Sequence, residues 1–87
     1  MKVFGYAIND LEADLPLELR ELTLSLTADE IDLVIAFLQN AKTRFETCSP
    51  TPGQSHVHLR DWWRGWSKTT PDLIVVFEEL KPQTGTP

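Results

Sequence analysis

The chain has one cysteine, four glycines and eight basic residues among its 87, and each shortage excludes a class of protein. Cys48 stands alone, so no internal disulfide can form and a reducing, cytoplasmic setting is expected. No apolar run approaches the ~20 residues that a membrane helix requires, and no membrane partner is expected. The opening MKVFGYAIND has one lysine and a short apolar run interrupted by Gly5 and Tyr6. It lacks the longer apolar region and the small-residue cleavage site of a secretory signal. Basic residues are outnumbered by thirteen acidic ones, giving a net charge of -5. Nucleic-acid modules usually carry a basic footprint, so a nucleic-acid partner is disfavoured.

What is present suits a small folded domain. Hydrophobic residues make up 41% of the chain, enough for one packed core. We expect a single α+β domain over residues 1–80 and a frayed tail over residues 81–87, KPQTGTP. Charge is unevenly distributed. Residues 1–41 hold eight acidic and two basic side chains, whereas residues 42–70 hold five basic and two acidic. An acidic stretch from Asp10 to Asp32 therefore precedes a basic, aromatic middle.

The element signals run in the order β–β–α–aromatic segment–β. KVFGYAI alternates with period two and reads as a strand, with Phe4, Tyr6 and Ile8 on one face. NDLEADLPLE is polar and contains Pro16, so it reads as a loop. RELTLSLT alternates, with Leu22, Leu24 and Leu26 expected inward, as in a strand buried on one side. A helix is expected over residues 28–46. Thr27 followed three residues later by Glu30 is a reciprocal capping box, and Leu26 with Ile31 occupies the staple positions. Ile31, Val34, Ile35, Leu38, Ala41 and Phe45 are expected to form its core stripe. CSPTPGQS is punctuated by prolines and glycine as a loop, and DLIVVFEEL reads as a central strand covered on both faces. The expected architecture is a small, mainly antiparallel sheet of three strands, with one long amphipathic helix and one short aromatic helix.

The chemistry concentrates in HVHLRDWWRGW, which holds both histidines and all three tryptophans. Leu59, Trp62, Trp63 and Trp66 fall at i, i+3, i+4 and i+7, one face of a short helix, with Ser55 as a suitable N-cap. His56, Arg60 and Arg64 share a flanking face. One reading is a metal or hydrolytic site, with His56 and His58 as ligands or bases and Asp61 as third ligand or orienting carboxylate. The chain has neither HExxH nor CxxC spacing and no diagnostic nucleophile turn, so neither metal nor cofactor is expected and no residue is assigned a catalytic role. Interleaved Trp and Arg also suit stacking on single-stranded nucleic acid, but the acidity of the chain opposes it. A protein-binding face fits best: Trp62, Trp63, Arg64, Trp66 and Arg60 are of the types most enriched at interface hot spots. Leu59, Trp63 and Trp62 are expected to cover core as well, which leaves Trp66 as the best candidate for exposure. Self-pairing of these tryptophans in a homodimer is a further reading.

Several stretches together, KVFGYAIN, ELTLSLTADEIDLVIAFLQNA, HVHLRDWW and TPDLIVVF, resemble the immunity-protein-32-like family, over residues 1 to about 79. These are small cytoplasmic antidotes of bacterial polymorphic toxin systems. Members commonly show a histidine–any–histidine–leucine run with a nearby aspartate, which places His56, His58, Leu59 and Asp61 at the motif positions. The resemblance implies neutralisation of a cognate toxin domain inside the producing cell, without catalysis. The run from Trp62 to Trp66 is richer in aromatics than the family pattern, which leaves room for a different partner. An acidic surface would suit a basic toxin such as a nuclease.

Overall fold

The computed structural model describes residues 1–8, 15–47 and 55–78. Its elements are β1 (Val3–Gly5), β2 (Leu17–Leu19), α1 (Ala28–Thr47), β3 (His56–His58), α2 (Leu59–Trp62) and β4 (Ile74–Val76). The α+β class holds, but the sheet does not. β1 pairs with β2 and β3 pairs with β4, both antiparallel, as two separate two-stranded sheets rather than one of three strands.

β2 lies where Pro16 and the acidic residues around it suggested only a loop. RELTLSLT, which alternates more cleanly, has no assigned element: residues 21–27 are not strand and Leu22 and Leu24 are exposed. Alternation supplies a face but not a partner, and a strand exists only where another backbone satisfies its N–H and C=O groups. The last strand is likewise shorter and less covered than expected. Only Ile74–Val76 is strand; Val75 is half-buried, while Ile74 and Val76 on the opposite face are exposed. A two-stranded sheet has too little width to bury both faces of β4.

α1 spans 20 residues and begins within the expected boundary. Its start is fixed by the capping box. The Thr27 backbone N–H donates to Glu30 Oε1 at 2.9 Å, and the Glu30 N–H donates to Thr27 Oγ1 at 3.2 Å. Those bonds hold the Glu30 carboxyl below its ordinary range, the Thr27 backbone donor contributing most. Acidic Asp29 and Glu30 lie in the first turn and Arg44 in the last, in the sense the macrodipole favours.

The inward face of α1 is rotated from the expected stripe. Phe37, which that stripe omitted, is 0% exposed and Ala41 is buried beside it, with Leu33, Val34 and Phe45 half-buried. Ile31, Ile35 and Leu38 remain 46–49% exposed. Phe37 meets Trp62, ring centroids 5.5 Å apart, and Phe45 meets Phe77 at 5.2 Å. These two tilted aromatic pairs join the helix to the segment after β3 and to the end of β4. Leu59, at the β3–α2 junction, completes the buried set among the described residues.

Cys48, most of the CSPTPGQS loop, Asp10, Glu12, Asp14 and the tail over residues 81–87 lie outside the described residues, as do Glu79 and Leu80 of the expected last strand.

Candidate protein-binding site

The aromatic segment is not one amphipathic helix. Its first three residues, His56–His58, are strand β3, paired in register with Val76, Val75 and Ile74. Ser55 caps no helix; its carbonyl accepts the Phe77 N–H at 2.9 Å and extends the ladder. Only Leu59–Trp62 is helical, and Trp63 leaves the helix in extended conformation. His56 therefore does not share a helical face with Arg60 and Arg64. The β-branched run in β4 supplies the partner strand that pulls the histidines out of the helical spacing.

A carboxylate from the far side of this hairpin organises the turn. Asp72 Oδ2 accepts from His58 Nδ1 at 2.6 Å, and Asp72 Oδ1 accepts from the Arg60 backbone N–H at 3.0 Å. The Leu59 N–H donates to the Leu73 carbonyl at 2.8 Å. Two donors of the first turn of α2, which has no capping side chain at His58, are thus satisfied by the two residues that lead into β4. The Arg60 Nε is 3.7 Å from Asp72 Oδ2. Burial on its own pushes the Asp72 carboxyl up, but the His58 hydrogen bond, the Arg60 N–H and the electrostatic pull of the His58 and Arg60 side chains outweigh it. The net result is a carboxyl held below the ordinary aspartate range.

Asp61, the carboxylate expected to work with the histidines, points elsewhere. It is largely exposed and its closest recorded ionic neighbour is Arg60 Nε, at 3.9 Å. His56 and His58 do lie together, ring centroids 5.0 Å apart and edge-on. Among the described residues no group of three or more His, Cys, Asp or Glu side chains is placed to hold a metal ion. Asp72 was the residue that spacing missed. The one available signal is negative: between Asp61 and Glu78 it is the only acidic residue in the sequence.

The tryptophans divide differently from expectation. Trp66 is half-buried, and its indole Nε1–H donates to the Pro71 carbonyl at 3.2 Å. Trp63 is half-buried and lies over Gly65, where a Cβ would approach the indole ring to 2.8 Å. Gly65 is thus favoured by the close approach of that ring. Trp62 is the most open of the three at 37% exposure, although its ring rests on Phe37. Arg60 and Arg64, two residues to either side of it in sequence, are exposed. One indole supported by the core, with guanidinium groups nearby in sequence and carboxylate Asp61 between, makes a firm amphipathic platform. Such a platform offers contact area at little further cost in side-chain entropy.

Among the described residues no helix is long and apolar enough to cross a membrane. No family model matches the chain, and no curated protein or solved structure matches it either.

Proposed function

We propose that this chain is a non-enzymatic protein-binding module, acting in the cytoplasm as an immunity protein that neutralises a cognate toxin domain. The observation that carries the binding reading is Trp62: a large indole left 37% exposed while its inner edge is held against the buried Phe37. Arg60 and Arg64, two residues to either side in sequence, supply the planar donors that interfaces favour. Trp63 and Trp66 contribute by fixing the loop that carries Arg64. The immunity reading adds the family resemblance of His56, His58, Leu59 and Asp61. In this geometry the first three belong to the junction that supports the platform, and Asp61 lies on its rim. A net charge of -5 suits a basic partner, whose approach it would accelerate.

The test is co-expression with any toxin domain found encoded beside the gene, read by growth of the host and by pull-down. Wild type should protect the cells and co-purify with the toxin. A Trp62→Ala, Arg64→Ala double variant should lose both while keeping the wild-type circular dichroism spectrum. Absence of protection by the wild type sinks the immunity reading. Full protection by the folded double variant removes this face from it.

A further inference from the structure

Ile31, Ile35 and Leu38 recur along α1 at i, i+4 and i+7, half-exposed, which is the spacing of a seam between helices. Lys42 continues the same line one turn further on. Beside this C-terminal half an open groove of about 400 Å3 runs between α1 and β4, with Leu38, Phe45, Val75 and Phe77 as its apolar lining. Lys42, Glu46 and Glu78 supply its charged lining. The stripe and the groove meet at Leu38.

We propose that the occupant is a second copy of this chain, docked with its α1 antiparallel to the first, so that Ile31 and Ile35 of each copy sit at the groove of the other. Charge selects both the partner and the direction. α1 opens with Asp29 and Glu30, has Asp32 in the following turn, and carries Lys42 and Arg44 near its end. Parallel helices would stack like charge on like, whereas antiparallel helices bring acidic ends to basic ones. A two-fold axis crossing between Ala36 and Phe37 opposes Ile35 to Leu38, Ile31 to Lys42 and Ala28 to Phe45. Asp32 of one copy then lies beside Lys42 of the other, and the pair occurs twice because a two-fold interface is self-complementary.

This surface is independent of the toxin-binding proposal. Ile35 is about 200° around the helix from Phe37, against which Trp62 rests.

Sedimentation equilibrium of the full chain, from micromolar to millimolar, tests the proposal. The wild type should be a dimer and Ile35→Asp a monomer, with the same circular dichroism spectrum because Ile35 is half-exposed. Asp32→Lys and Lys42→Glu should each weaken the dimer roughly tenfold, and the double reversal should recover most of that loss. These exposed charge variants keep the test decisive if Ile35→Asp misfolds. A monomeric wild type throughout the range overturns the proposal. So does a dimer indifferent to Ile35→Asp, or a double reversal no tighter than the single ones.

Discussion

Asp72 shows how much one side chain can organise when it reaches across a hairpin. Its two oxygens are divided between the His58 ring and the Arg60 backbone N–H, so it orients an imidazole and caps a helix at once. Asp72→Asn should cost about 1.5–3 kcal/mol at neutral pH, the scale for hydrogen bonds to a charged group. The pH dependence has a definite sign. The folded carboxyl titrates below its unfolded counterpart, so its contribution is fully present above the ordinary aspartate range and is lost as pH falls through the lowered folded value. Urea midpoints of wild type and Asp72→Asn should therefore converge on acidification. A gap that persists unchanged to strongly acidic pH would mean the charge of Asp72 contributes nothing.

At the scale of elements, α1 was legible from end to end and β1 and β4 in position, whereas β2 and β3 were not legible as strands. The capping box is a local signal: Thr27 and Glu30 find each other three residues apart, whatever the rest of the chain does. Thr27→Ala should cost about 1 kcal/mol, measured as a lower urea midpoint with an unchanged slope. The orientation of the helix was harder to read. Leu33, Val34, Ile35, Ala36, Phe37 and Leu38 form an apolar run wider than one stripe, so periodicity alone left two adjacent faces equally qualified. Trp62 decides between them by packing on Phe37, a contact 25 residues away in sequence that no local pattern encodes. For the same reason RELTLSLT looked more like a strand than LEL does. The pairing of β1 with Leu17–Leu19 is a non-local fact. The His58–Asp72 bond belongs to that category too, which is why the neighbouring Asp61 looked like the natural partner.

For the whole molecule, the consequence is a core concentrated on few residues. Among the described residues only Phe37, Ala41 and Leu59 are buried. Phe37→Ala should cost about 3–5 kcal/mol, most of what a domain of this size has in reserve. Thermal melting should show that variant largely unfolded near ambient temperature. A melting point within a few degrees of wild type would mean the core is broader than these three side chains. The sequence composition, 41% hydrophobic, promised more burial than a single copy achieves. Part of the difference is displayed on Ile31, Ile35, Leu38 and Trp62, the faces assigned above to partners, and more of it on β1, β2 and the residues that flank them, such as Phe4, Tyr6, Ile8, Leu17, Leu22 and Leu24.

The two sheets share no strand, and that separation bears on how the molecule opens. Hydrogen bonds between β1 and β2 transmit nothing directly to the β3–β4 ladder, so each hairpin can come apart without breaking a backbone bond in the other. The β3–β4 hairpin is further secured by Asp72 and by the bonds from Leu59 and Phe77. Of the two sheets, the N-terminal pair is therefore expected to open first in hydrogen exchange, with the platform carrying Trp62 still assembled while it does.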